Sequence, residues 1–229
     1  AYLGNLGKDH SADLVLNLLN NEKISFIGTQ SDNITNYSII LDSKDSDRTI
    51  LVYKDASAKL SYDKIKKSNL KTKWFYFSSL VKGAFKTQCS LANYAVRNNI
   101  KVAFNPSSYQ AKKGLKYIMP VLKKTNILIL NAEEACLLLR RDRSKRFQKN
   151  VIKSNLSELA SYGPSIVAIT KGSKGVDVFC SGSYIHSKAK KVRAVETTGA
   201  GDAFASSFVA GIIMGKPIGD AVKMGQINA

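Results

Sequence analysis

The stretch Glu196-Thr-Thr-Gly-Ala-Gly-Asp202, followed by AFASSFVAGIIMG, carries the sharpest chemical signal in the chain. Gly199, Ala200 and Gly201 stand where a loop should become a helix. Small side chains let the backbone approach an anion closely, and the free N–H groups of a first helical turn point at it. Asp202 falls in that turn, where the helix dipole favours a carboxylate. It would lie beside any anion the amides hold. Such an arrangement suits phosphoryl transfer, in which a protein supplies positioning, charge compensation and a base to orient a hydroxyl. Ordinary capping accounts for the same residues: Thr198 or a neighbour as the cap, Asp202 for the dipole, glycines for the turn. Both readings stand at this level.

Two further patches follow strand-like runs. Thr170-Lys-Gly-Ser-Lys-Gly175 comes directly after SIVAI. A glycine-rich turn after a parallel strand lies at the carboxyl edge, where α/β proteins bind ligands. A plain strand-to-hairpin turn uses glycine in the same way. The turn is neither a GxxxxGK[ST] phosphate loop nor a dinucleotide fingerprint. Asn131-Ala-Glu-Glu134 follows NILIL. An amide at a strand end and a carboxylate one turn on could hold water around Mg²⁺. They also form a capping box, and the two roles are compatible.

The elements that must carry these patches alternate. Helices are expected over 13–19, 86–98, 111–123, 132–139, 149–160, 201–214 and after Pro217. Strands are expected at 24–28, 37–41, 49–53, 74–77, 102–104, 127–130 and 166–169, with a hairpin from Val176 closed at Ser181–Gly182. This alternation predicts a βαβ architecture with a largely parallel sheet, which brings all three strand-end patches to one edge. The hairpin over 36–54 reads as an edge piece or a lid. No repeat, long linker or second domain is visible.

The chain has 229 residues, with Lys+Arg 35 against Asp+Glu 17, a formal charge of +18. Hydrophobic residues at 44% and charged residues at 23% exclude a disordered or collagenous chain. Three scattered cysteines (Cys89, Cys136, Cys180) and two histidines exclude a disulfide framework and a multi-histidine metal centre, and point to a reducing, cytoplasmic setting. No apolar run reaches the roughly 18 residues a membrane helix needs. The lysines are spread along the chain, as on solvated helix faces. Only RRDRSKR, Arg140 to Arg146, is dense, and it reads as solvated surface or an anion contact. A basic nucleic-acid-binding module remains a rival class, disfavoured because no aromatic–basic interleaving, helix-turn-helix spacing or zinc ligands are present. The charge does favour anionic small molecules.

The order NAEE, ITKGSKG, ETTGAGDAF resembles the ribokinase family of PfkB-type sugar and nucleoside kinases. YLGNLGKDH, DRTILVY and VAFNPSS extend the resemblance along nearly the whole chain. It implies a three-layer αβα fold with a mostly parallel sheet. It further implies an ATP-dependent, Mg²⁺-requiring transfer of a phosphoryl group to a sugar hydroxyl, with a nucleoside as the alternative substrate and a homodimer as the assembly. Asp202 would be the base and Gly199, Ala200 and Gly201 the anion hole. Asn131 would lie near the phosphates, Thr170, Gly172 and Gly175 would border the nucleotide, and Asn228 would lie near the base. Glu134 would organise Mg²⁺, and a monovalent cation such as K⁺ would sit near Glu196 or Thr198. Glu196 stands where the family more often has Asp, and Ser207 where it usually has Gly. The family's Gly-Gly sugar motif and early Asp are not found. The expectation is therefore a kinase domain over 1–229, truncated at both ends, without its N-terminal sugar-binding part and with its lid partly missing.

Overall fold

The computed structural model describes residues 1–42, 48–190 and 197–229. They divide into two compact units, residues 1–72 with 80–91, and residues 73–79 with 92–229.

In the first unit, β1 (Asn5–Leu6) pairs in parallel with β2 (Thr29–Gln30), and α1 (His10–Asn21) connects them. Asp9 caps α1 by accepting from Ala12 N at 2.9 Å and also accepts from Thr35 N at 2.7 Å. Those bonds hold its carboxyl below the usual carboxylate range. The expected strand 24–28 lies further along the chain. Phe26 makes a single parallel bridge with Tyr2, and the regular pairing falls on β2. The backbone ladder continues beyond that bridge, from Tyr2 N→Ser25 O to Ser31 N→Leu6 O. β3 (Tyr37–Asp42) and β4 (Arg48–Tyr53) form an antiparallel pair of their own, separate from the main sheet. Residues 43–47 of the expected connection lie outside the described residues. From 56 to 70 the chain makes three short 3₁₀ turns that bury Leu60, Ile65 and Leu70. These turns carry neither a helical nor a strand period, so no pattern announced them. α2 (Ala84–Arg97) begins in this unit, where Thr87 Oγ1 donates to Leu60 O at 2.7 Å.

The second unit is built on a six-stranded sheet of order β10-β9-β8-β7-β6-β5. β5 (Trp74–Phe77), β6 (Lys101–Phe104), β7 (Ile127–Asn131) and β8 (Ile166–Thr170) are parallel. β9 (Val176–Cys180) and β10 (Ser183–Ser187) run antiparallel through the expected hairpin, whose turn holds Ser181 and Gly182 at positive φ of 49° and 81°. Such a pair of left-handed residues matches the twist of a two-residue hairpin. The expected helix 111–123 is two: α3 (Ser108–Lys113) and α4 (Leu115–Leu122), separated by Gly114 at φ 84°. α5 (Ala132–Leu138) and α6 (Lys149–Ser161) pack on β7 and β8. α7 (Ala200–Ile213) and α8 (Ile218–Asn228) cover the opposite face, where Ile127, Ile129, Val176 and Val178 meet Phe204, Phe208 and Val222. Alternate strand residues face opposite layers. Buried Leu128, Leu130, Val167 and Ile169 therefore face the α5–α6 layer. The result is the expected three-layer α/β arrangement, with a sheet that is parallel at its centre and antiparallel at one edge.

Candidate active site

β7 and β8 end side by side, and the register pairs Asn131 with Thr170. Two of the three strand-end patches are thus neighbours on one edge of the second unit. The third begins α7.

Asn131 is the N-cap of α5. Its Oδ1 accepts from Glu134 N at 2.8 Å, and Glu134 Oε2 accepts from Asn131 N at 3.0 Å. The capping box is real, and it leaves Asn131 exposed with no partner for its Nδ2 among the described residues. Glu134 is buried, at 8% exposure, and its Oε1 accepts from Ser108 Oγ at 3.1 Å. Burial pushes its carboxyl above the usual carboxylate range, against the pull of the bonds from Asn131 and Ser108. Both oxygens are engaged, so Glu134 fits a magnesium ion through intervening water rather than as a bare ligand. Among the described residues no group of three His, Cys, Asp or Glu side chains gathers to chelate a metal. Magnesium characteristically keeps several waters and substrate phosphates as ligands, so such a group is not required.

Thr170 ends β8, and Lys171 N donates to Gly175 O at 2.8 Å across the turn that follows. Gly175 has a structural duty. At φ 89° it approaches the end of β10 so closely that a Cβ would run into Ser187 O and lie 2.8 Å from Ala189 N. Gly172, at φ 56°, has nothing within 4 Å of the position a Cβ would take.

Gly199 is the N-cap of α7 at φ 85°, and no side chain caps the helix. Ala200 N donates to Thr197 O at 3.2 Å, while the N–H groups of Gly199, Gly201 and Asp202 meet no acceptor among the described residues. A Cβ on Gly201 would meet nothing within 4 Å among the described residues, so their packing does not demand glycine there. Asp202 lies exposed in the first turn with no partner among the described residues. An uncapped helix start, open amides and free space form a cradle that suits a phosphate group.

Tyr76 and Asn105 were not singled out in the sequence. Asn105 Nδ2 donates to the Tyr76 Oη at 3.5 Å. Desolvation raises the phenol pKa above its ordinary value, and the charge of Asp202 adds to the shift. Tyr76 is thus within electrostatic reach of Asp202. The available signal was position: Tyr76 lies one residue from the end of β5, and Asn105 directly follows β6, at the edge shared with Asn131 and Thr170. Asn228 is not gathered into this cluster, since its Nδ2 donates to Met224 O of its own helix at 3.0 Å. Gln226 holds α8 instead, accepting from Ser187 Oγ at 2.8 Å and donating to Lys188 O at 3.0 Å. Glu196 lies outside the described residues.

The profile of the pfkB family of carbohydrate kinases matches residues 1–229. An uncharacterized sugar kinase of Archaeoglobus fulgidus is 26% identical over 232 residues, covering 100% of this chain and 89% of its own length. The crystal structure of ribokinase from Thermotoga maritima superposes with a TM-score of 0.78 at 25% identity, over 97% of this chain and 70% of that one. Adenosine kinase from Schistosoma mansoni shares the fold, with a TM-score of 0.87 at 19% identity over 99% of this chain and 71% of its own. The family match spans all of residues 1–229, the first unit included, and 89% of the Archaeoglobus relative is covered, which corrects the expectation that the likeness is to a kinase stripped of its N-terminal part. The uncapped start of α7, the paired ends of β7 and β8 and the match over the whole length agree: the chain belongs to the pfkB family of carbohydrate kinases, ATP-dependent phosphotransferases acting on small polar substrates.

Proposed function

We propose that the protein transfers the γ-phosphoryl group of ATP to a hydroxyl of a sugar, at the edge formed by the ends of β7 and β8 and the start of α7. The observation that carries this reading is the start of α7. Its open amides and the space at Gly201 would suit a phosphate, and the carboxylate of Asp202 stands in the same turn. ATP, when bound, supplies the phosphoryl group and a polyphosphate that needs charge compensation. The amides of Gly199 and Gly201 stabilise the charge on the phosphoryl oxygens, and Ala200 keeps the turn compact. Asp202 accepts the proton of the attacking hydroxyl as charge develops on it. Asn131 offers Nδ2 to phosphate oxygens, and Glu134 orders water around Mg²⁺. Thr170 and Gly172 border the nucleotide. Gly175 fixes the shape of that turn, and the family resemblance would put Asn228 near the base. The family resemblance adds a monovalent cation near Glu196 or Thr198.

The hairpin over 36–54 exposes Ile39, Leu41 and Leu51, which supports its reading as a lid or as the contact of a homodimer. Cys89, Cys136 and Cys180 form no disulfide, which supports a reducing, cytoplasmic setting. Among the described residues no helix is long and apolar enough to cross a membrane.

The test is an ADP-release screen with Mg²⁺-ATP across ribose, fructose, other hexoses and nucleosides. Turnover of a sugar is expected. Turnover of nucleosides alone would transfer the reading to a nucleoside kinase. Asp202→Asn should lower kcat by about 10² to 10⁴-fold, the usual contribution of a positioned base, and leave ATP affinity nearly unchanged. Undiminished turnover in that variant would remove Asp202 from the chemistry.

A further inference from the structure

A cavity of about 520 Å³ lies in the second unit between the start of α6, the β8–β9 turn and the β9–β10 hairpin. That volume is in the range of small-molecule sites. It is separate from the edge that carries Asp202. On β9, Val176 and Val178 face the α7–α8 layer, so Asp177 between them points to the opposite face, where α6 packs. His186 stands opposite Asp177 in the register, and its Nδ1 lies 3.0 Å from Asp177 Oδ1. Asp177 Oδ2 is ion-paired with Lys171. The carboxylate of the cavity is thus already matched.

The remaining charges have no such match. Lys149 and Lys153 line the cavity one turn apart on α6, and neither meets a carboxylate among the described residues. Like charges at that spacing repel. They also occupy the first turns of a helix whose dipole disfavours cations there. The N-cap residue, Gln148, makes no side-chain cap, and no acidic residue stands in the first turn. Further cations border the wall. Arg146 and Lys174 lie 4.6 Å and 4.3 Å from the centre of the Phe147 ring, and Lys153 lies 5.3 Å from that of Tyr184. Between these cations the wall is mixed, with Ile152, Leu156 and Ile185 beside the Lys171–Asp177–His186 cluster, and Ile152 and Leu156 are buried. The lysines that weaken the start of α6 converge on one cavity, beside an apolar floor and two aromatic rings.

We propose that this cavity is a second ligand site, for a small organic anion that joins a phosphate or carboxylate group to a flat or apolar body. The anionic group would lie between Lys149 and Lys153 at the start of α6, and the body against Phe147, Tyr184 and Ile152. The dense basic segment ending at Arg146 then has a use as the rim of this site. Because Lys171 belongs both to the cavity wall and to the turn after β8, the occupant adjoins the nucleotide edge without entering it.

Phenyl phosphate is the probe, followed by calorimetric titration of the full chain saturated with a non-hydrolysable ATP analogue and Mg²⁺. One site is expected, with affinity at least about tenfold weaker in Lys149→Ala/Lys153→Ala and unchanged in Lys216→Ala/Lys223→Ala, which removes the same charge from α8. Lys149 and Lys153 are exposed helix positions where alanine is well tolerated, and activity without the probe should persist in the double variant. Equal binding by the wild type and Lys149→Ala/Lys153→Ala would overturn the proposal. So would binding that disappears once the analogue is present, since the probe would then have been in the nucleotide site. No binding by the wild type would overturn it as well.

Discussion

Glu134 is held by two donors, Asn131 N and Ser108 Oγ, in a place where water scarcely reaches it. Burial prevails over those bonds, so its carboxyl titrates above its ordinary value of 4.5. In the window above that value the folded protein keeps a proton that the unfolded chain has released. Stability from this group is therefore complete below the ordinary carboxylate range and is lost as pH rises through the raised value. Glu134→Gln keeps the capping box and removes the charge. The melting temperature of the variant relative to the wild type is expected to rise between pH 4 and pH 8. A difference that stays constant over that range would mean that Glu134 titrates normally. Asp202 is exposed, with no hydrogen bond or ion pair among the described residues, and its importance lies in position: the substitution to Asn tests chemistry with little expected cost in stability.

Among the elements, the β8–β9 turn shows how glycines of one motif do different things. Gly175 combines positive φ with a backbone approach to Ser187 and Ala189, and Gly172 has only the positive φ. Gly175→Ala should cost on the order of 2 kcal/mol or more, because the strain of the conformation is joined by a backbone collision. For a chain of this size that lowers Tm by roughly 4–8 °C. Gly172→Ala should cost about 1 kcal/mol. Thermal unfolding of the two variants distinguishes these duties, and equal losses would show that the approach of β10 is not a constraint. The start of α7 differs from the start of α5 in the same sense. Asn131 and Glu134 satisfy the donors of α5 internally, whereas α7 keeps donors open. A helix end left open beside a free carboxylate is the element-level mark of the candidate site.

For the whole molecule, the charge of +18 acts as a field and not as a docking code. It should draw ATP toward the protein and be screened by salt, since the Debye length falls from about 10 Å at 0.1 M to about 3 Å at 1 M. The KM for ATP is expected to rise several-fold between 50 mM and 500 mM KCl, with kcat changing less. A KM independent of salt would confine the charge to solubility. The first unit contributes a parallel strand pair, the β3–β4 hairpin and the buried 3₁₀ region. The second contributes the sheet edge at the ends of β7 and β8, together with the start of α7.

Much of the second unit was legible because its strands are short apolar runs and its helices have clear ends. The runs WFYF, ILIL and IVAIT, the Ser181–Gly182 turn and the NAEE cap lie where local pattern places them. The family resemblance was legible for the same reason, since ETTGAGDAF is a contiguous segment. Local pattern failed where structure depends on distant partners. The pairing with β1 drew the early strand on to Thr29, Gly114 divided one helix into two, and the 3₁₀ region followed no period. The charge of Asp202 felt at Tyr76, the buried carboxyl of Glu134 and the cavity at the start of α6 join residues far apart in the chain. A sequence specifies which residues can bind a phosphate or accept a proton. Burial, neighbouring charge and the close approach of backbones arise only when strands and helices from different parts of the chain are packed together, and these set the environment in which such residues act.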